Sequence, residues 1–282
     1  MNIRFFVFFV FLTEFLISAT ALRVPISGTI DMGLPNYVNR GIEFALEDSV
    51  EYIIFDIDTF GGRVDAATKI KDVILASNVK TIAFINRRAI SAGALIALSC
   101  DSIFMTPGST IGAATAVSLD GEKASEKVIS YMREEMASTA EATFRSRQIA
   151  EAMVDEEISI PFYITTNGDT LTSLDIEGFK KDKLITLSTK NAKKIGIISD
   201  EANSFDSLIK VLGVSPDSVF EFKESWSESL VRFLTNPNVA PLFMSLGMLG
   251  LFFEIKSPGF GIPGIAGLLC LFLFFGSHLL VG

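Results

Sequence analysis

The chain has 282 residues, 49% of them hydrophobic, and a formal net charge of −9. That acidic balance excludes a nucleic-acid binder, which needs a basic face. Its single histidine, His278, lies four residues from the end in an apolar tail, so His-based metal sites and His-dependent hydrolase sites are excluded from the globular part.

The hydrophobic excess sits at the two ends. Six of the 25 Phe fall in the first 15 residues, and eight more fall between Phe233 and Phe275. Met1–Arg4 reads as a charged n-region, Phe5–Leu12 as an apolar h-region, and Ala19-Thr20-Ala21 as the small residues of a cleavage site. A secretory signal is therefore predicted over residues 1–21. The alternative is an N-terminal anchor, whose apolar run Glu14 interrupts.

Residues 22–225 have ordinary globular composition. A strand is predicted over Arg23–Ile30 and a helix over Pro35–Leu46. Tyr52–Asp58 reads as an apolar strand ended by Gly61-Gly62. Val64–Ala76 has helical period, with Ala67, Ile70, Val73 and Ile74 on one face. Thr81–Ile85 is the next strand, Ser91–Ser99 a short apolar helix, and Ser102–Met105 another strand. This alternation points to an α/β domain with a largely parallel sheet. Glu122–Val154 is mostly helical in pattern, and Ile158–Leu174 reads as a hairpin around Asn167-Gly168. A helix over Thr189–Lys194, a strand at Ile197-Ile198 and a helix over Ser204–Leu212 follow. Glu221–Thr235 joins the globular part to the rest, with Trp226, Leu230 and Phe233 at helical spacing.

Residues 226–282 are predicted to form a membrane domain with two apolar segments, about 239–255 and 262–282. The second has 21 residues and no formal charge, long enough to span ~30 Å of hydrocarbon. The first is shorter: a tilted or short span, or a re-entrant segment. A turn rich in Gly and Pro separates them. With a cleaved signal, the globular domain lies outside the cytoplasm and Lys256 faces inward, as the positive-inside rule prefers. Cys100 and Cys270 fall in different parts, so neither a disulfide nor a thiolate metal site is predicted, and no cofactor is implied.

Two short motifs carry chemistry. Ile90-Ser91-Ala92-Gly93 resembles a nucleophile turn at a helix start, where the free amides and dipole favour developing negative charge. Asp58-Thr59-Phe60-Gly61-Gly62 resembles an oxyanion loop. The amide of Ala92 and one from Gly61 or Gly62 could hold a tetrahedral oxyanion. Each motif alone is commonplace, as an N-cap serine or a strand-to-helix turn; together, about thirty residues apart in a βαβ setting, they gain weight. Without a histidine, the base falls to a lysine held neutral by burial. Lys123 and Lys127 both follow the Gly112-Ala113-Ala114 loop, and Lys127 has the more apolar context, at the head of Val128-Ile129-Ser130-Tyr131-Met132.

Several stretches recur together in order: Asp58–Ala67, Ala89–Ala94, Met105–Ala113, Glu126–Arg133, Ile149–Asp155 and Pro258–Gly264. In these the chain resembles the NfeD family of membrane-bound serine proteases, whose protease domain has the ClpP/crotonase fold. The resemblance implies a ClpP/crotonase-like βαβ domain followed by a C-terminal transmembrane helical hairpin. It assigns a Ser-Lys dyad to Ser91 and Lys127 and the oxyanion glycines to Gly61 and Gly62. Implied substrates are apolar peptide segments of membrane-associated proteins, with stomatin-like proteins as partners and a homo-oligomer, dimer or larger, as the assembly. Family members usually carry proline where Phe60 stands, and longer members continue into further membrane helices and a small OB-like barrel.

The leading reading is thus a multi-pass, membrane-anchored serine endopeptidase. Its competitors are a non-catalytic membrane scaffold, a crotonase-type acyl-CoA enzyme and a signal-peptide-peptidase-like protease. Ser91, Lys127 and the glycine pair count against the scaffold. The secretory signal counts against coenzyme A chemistry, and the C-terminal membrane pair against the last.

Overall fold

In chain order the elements are β1 (Ala19–Ile30), α1 (Leu34–Glu47), β2 (Tyr52–Gly62), α2 (Val64–Leu75), β3 (Lys80–Ile90), α3 (Ala92–Leu98), β4 (Ser102–Met105) and β5 (Thr110–Gly112). Next come α4 (Glu126–Ala142), α5 (Arg147–Ala152), β6 (Tyr163–Ile164), β7 (Thr170–Leu171), β8 (Thr186–Ser188), α6 (Thr189–Ile195), β9 (Asp200–Glu201), α7 (Phe205–Val211) and β10 (Val214–Glu221). Three helices close the chain: α8 (Trp226–Thr235), α9 (Ala240–Lys256) and α10 (Ile262–Val281). This computed structural model describes residues 19–117, 121–236, 239–256 and 261–281.

Strand periodicity decides how the sheet is covered. Along β2, Ile53, Phe55 and Ile57 enter a large core, while Ile54 enters a smaller one on the opposite face. The large core packs the sheet against α1 to α5; the smaller one packs it against α7 through Leu208 and Ile209. The strands run β10-β1-β2-β3-β4-β9, each neighbouring pair parallel. β5 pairs in parallel with the carboxyl end of β3, beyond β4, and antiparallel with β8. Parallel neighbours need crossovers, and α1, α2 and α3 are the crossovers of β1 to β4. The carboxyl ends of β1, β2 and β3 therefore lie together, where open parallel sheets hold their ligands.

The chain departs from the sequence expectation in four places. β1 begins at Ala19, and buried Ala21 pairs with both Tyr52 and Val219, so the small residues of the expected cleavage site are strand residues. The rest of that expected signal, residues 1–18, lies outside the described residues. The 122–154 helical stretch is two helices, broken where Phe144 takes a left-handed φ of 59°. Ile197 and Ile198 are buried bend residues after the left-handed Gly196 cap of α6, and the strand forms two residues later. β10 contains Pro216 and four polar residues, Ser215, Asp217, Ser218 and Glu221, a pattern that an edge strand tolerates because one side needs no donors. The hairpin falls where expected, with Gly168 N–H donating to Thr165 O in the turn.

The last two helices pack antiparallel through small residues. A methyl group on Gly250 would lie 2.7 Å from Gly267 Cα, and one on Gly267 would lie 2.9 Å from Gly247 O. Such backbone approach is how membrane helices associate without a hydrophobic force between them. Glu254, near the end of α9, accepts from the amides of Gly261 and Gly264 at the start of α10, and Gly264 leaves room for its carboxylate. Pro258, Gly259 and Phe260 of the expected turn lie outside the described residues. Among the described residues, Ile262–Leu280 is the one single helix long and apolar enough to cross a membrane. At 17 residues α9 passes that test only together with α8, from which it is bent by 73°.

If the glycine contact holds the pair together, Gly250→Ile should cost about 1–3 kcal/mol by overpacking. Gly276→Ile, where a side chain meets nothing within 4 Å, should be close to neutral. Thermal unfolding of both variants in detergent checks this; equal melting would contradict it.

Candidate active site

Ser91 closes β3 and opens α3 in a conformation that ordinary residues avoid, φ 57° and ψ −123°. Strain of this kind must be held by its surroundings. Here Ser91 N–H donates to Gly112 O at 3.0 Å, and Ala94 N–H donates to Ser91 O at 2.9 Å. All seven residues of α3 are buried. Gly93 is needed for that burial, since a methyl there would lie 2.5 Å from Thr59 Cγ2. The hydroxyl of Ser91 makes no hydrogen bond to the described residues, and the Ala92 amide that follows it finds no acceptor among them. A free hydroxyl and a free helix-first amide thus sit side by side at the sheet's carboxyl edge.

The second wall is the end of β2. Gly61 has φ 108°, and a methyl group on it would lie 2.6 Å from Ser91 Cβ, so only glycine lets the two backbones meet. Gly62 packs equally tightly on β1: a methyl there would lie 2.3 Å from Ile30 O. The Gly61 amide donates to Thr59 Oγ1 at 2.9 Å, and that buried hydroxyl in turn donates to Gly28 O at 2.5 Å. Ser91, Ala92 and Gly61 are therefore brought together, with Gly62 next in the chain and packed on Ile30.

Lys127 is a different matter. The sequence reading buries its amine; the structure exposes it, on the first turn of α4. The buried face of α4 is Ile129, Met132, Met136 and Ala140, and Lys127 lies off that stripe. It makes no hydrogen bond or ion pair with the described residues, Ser91 included. Lys123 is also exposed and bound to Glu156 at 2.9 Å, which raises its pKa and keeps it charged. Lys71 is the buried lysine. Burial alone lowers its pKa, but hydrogen bonds to Asp72 and Glu135 outweigh this and raise it. Neither Lys71 nor Lys123 can readily become the neutral amine that a base requires.

A cleft of about 380 Å³ opens beside Gly61, lined by Thr29, Asp58, Phe60, Arg87 and Arg88 among others. Phe60 is 73% exposed, with the Arg88 guanidinium 4.3 Å over its ring. Arg88 and Arg87 also pair with Asp58 at 3.2 and 3.7 Å. A substrate here would thus meet an aromatic face and a partly neutralised basic pair.

Two residues that matter to the site were missed in the sequence. In sequence Thr59 is one residue of the loop among others; in the structure its hydroxyl accepts from the Gly61 amide and fixes it. Arg145 donates to Leu98 O at 3.1 Å and Cys100 O at 2.9 Å, capping the carboxyl end of α3, the helix that Ser91 opens. Burial lowers its pKa. An arginine straight after a helix is a weak signal, and no spacing rule ties it to α3. Among the described residues no cluster of His, Cys, Asp or Glu could hold a metal ion.

Residues 20–222 match the family model described as NfeD1b, N-terminal domain, and residues 238–282 match the NfeD integral membrane domain. The chain is 35% identical over 263 residues to the membrane protein NfeD1b of Bacillus subtilis, covering 93% of this chain and 57% of that protein. It is 29% identical over 256 residues to the membrane-bound protease PH1510 of Pyrococcus horikoshii, covering 88% and 56% respectively. The chain thus spans a little over half the length of these two relatives. The 1510-N membrane-bound stomatin-specific protease, solved as a lysine-to-alanine mutant with a substrate peptide, aligns with TM-score 0.60 at 24% identity. That alignment covers 78% of this chain and all of the solved one, and it shows the fold. Matched in order by both of the family's domain models, the chain belongs to the NfeD family of membrane proteins.

Proposed function

We propose that this chain is a membrane-anchored serine endopeptidase with Ser91 as nucleophile and Lys127 as base. The observation that carries the reading is the strained Ser91 turn, its hydroxyl unbonded beside the free Ala92 amide and hard against Gly61. In this mechanism Ser91 Oγ attacks the scissile carbonyl and Lys127 Nζ takes its proton. The carbonyl oxygen becomes an oxyanion held by the Ala92 amide and an amide of the Gly61-Gly62 pair, with Gly61 exchanging the Thr59 hydroxyl for the substrate. Lys127 then returns the proton to the leaving amine, and water releases the acyl group.

Lys127 is preferred over Lys123 and Lys71 because carboxylates hold those two charged. A lysine base works only in its neutral form, which burial favours. The first turn of α4 is exposed, so the active form needs cover over it. Exposed Val128 and Tyr131 lie on the same helix, one and four residues on. A substrate segment or a second copy of the chain would cover Lys127 together with that apolar surface, which makes a homo-oligomer part of this proposal. Substrates are apolar segments of membrane-associated proteins. Stomatin-like partners are proposed because the 1510-N protease is described as stomatin-specific. The α9–α10 hairpin crosses the membrane twice, with the protease domain on the extracytoplasmic side.

A non-catalytic scaffold is the second reading, favoured by the exposure of Lys127 and its lack of contact with Ser91. Cleavage of an apolar peptide by the full chain separates the two. Ser91→Ala and Lys127→Ala should each abolish it, and the double variant should be no worse than either, because the pair acts as a unit. Lys123→Ala should keep it. Cleavage by Ser91→Ala would end the enzymatic reading; loss in Lys123→Ala with activity in Lys127→Ala would move the base.

The loop has its own test. Gly61→Ala places a methyl group against Ser91 and displaces an oxyanion donor, so kcat should fall by about 100- to 1,000-fold with KM little changed. Circular dichroism would establish that the variant is folded. A folded Gly61→Ala with unchanged kcat would remove the loop from the mechanism.

A further inference from the structure

Helix α8 has two unlike faces. Ser225 and Glu228 form a capping box that fixes its start. Trp226, Leu230 and Phe233, at positions i, i+4 and i+7, share one side and are 80%, 42% and 55% exposed. The charged residues Glu228 and Arg232 occupy the opposite side, and both are spent on the globular domain. Glu228 pairs with Arg40 at 2.6 Å. Arg232 pairs with buried Asp31 at 2.8 Å and with Glu224, and it also donates to Thr29 O at 3.3 Å. The helix is thus clamped to the domain by its charges and presents an uncharged aromatic stripe outward.

Its place relative to the last two helices says what that stripe meets. α9 starts beside α8, with the Phe233 and Phe243 rings edge to face at 6.4 Å. α10 runs antiparallel to α9 and ends beside α8 as well, where Leu280 lines a cavity with Ser227 and Val231. Both ends of the apolar pair therefore meet α8, and the turn between them is at the far end. α8 is bent by 73° from α9. When α9 and α10 stand across a bilayer, α8 lies close to the membrane plane at the level where they enter it.

We propose that α8 is an interfacial helix whose Trp226, Leu230 and Phe233 side chains embed in the lipid headgroup–acyl boundary. Tryptophan favours that level because its ring is apolar and its N–H polar. A helix lying there buries its apolar face by ~5–10 Å. Because the two charges of α8 are occupied by the domain, its binding needs no anionic lipid. The clamp has a consequence for the domain. Arg232 reaches Thr29, the residue in register with Gly61, so the carboxyl edge of the sheet and the Gly61 loop are held beside the membrane surface.

Trp226 is the only tryptophan in the chain, so its fluorescence reads this position without any substitution. The full chain would be reconstituted in phosphatidylcholine vesicles containing lipids brominated at shallow or deep acyl positions. Blue-shifted emission is expected, quenched more by shallow than by deep bromine, little by aqueous iodide, and unchanged when phosphatidylglycerol is added. Stronger quenching by deep bromine would make α8 the first part of a bent span and overturn the proposal. Iodide quenching without bromine quenching would place the stripe in water, and quenching by neither would place it under protein; either result overturns the proposal equally. Emission that shifts only with the anionic lipid would contradict the assignment of the charges.

Discussion

The contact of Gly61 with Ser91 joins the end of β2 to the turn that follows β3, and the rest of the site is arranged around it. A side chain at Gly61 would start 2.6 Å from Ser91 Cβ, so the approach exists only because the residue is glycine. The neighbouring contacts have the same character. Gly62 lies on the Ile30 backbone, Gly93 on Thr59, and Gly112 accepts the Ser91 amide. The Ser91 strain is held by this ring of close backbone contacts and by the complete burial of α3. Arg145 meets the other end of α3 and satisfies carbonyls that the helix leaves open. Such a frame fixes the Ser91 turn before any ligand arrives, the kind of preorganisation from which electrostatic stabilisation gains most.

The same carboxyl edge of the sheet is continuous with the membrane part. Gly62 is in register with Ile30, and Asp31 next to it caps the start of α1 while binding Arg232 of α8. Asp31 is almost fully buried, and a buried carboxylate needs such a partner. Removing Arg232 would leave that charge unpaired beneath the loop. α8 lies between the family's two domain models; its ion pairs tie it to the first, and the Phe233–Phe243 contact joins it to the second. This geometry holds the cleft beside Gly61 near α8 without a flexible tether.

Much of this was legible from residue pattern. β2 and β3 carry apolar runs between glycine and polar breaks, and the crossover helices keep clear period. Ser91 with Gly61-Gly62 was legible because close backbone approach demands small residues in fixed order. What failed did so for physical reasons. β5, β8 and β9 are two or three residues long and owe their strand form to neighbours, and β10 is a polar edge. Val128–Met132 reads as an apolar run around Lys127, but a helix buries only every third or fourth residue. Ile129 and Met132 are inside while Val128 and Tyr131 are outside. The α9–α10 pair was visible as two apolar stretches, whereas the orientation of α8 depends on ion pairs some 190 to 200 residues apart in sequence, such as Arg40 with Glu228 and Asp31 with Arg232, which no local pattern announces.

The central claim is that Ser91 is the nucleophile of the folded protein as it assembles in the membrane, where a second copy covers Lys127. Reaction of the full chain in membranes with a fluorophosphonate, followed by peptide mapping, tests it most directly. The account predicts a covalent adduct on Ser91, absent when the protein is first unfolded and absent in Ser91→Ala. An unlabelled folded protein, or an adduct on another serine that persists in Ser91→Ala, would contradict it.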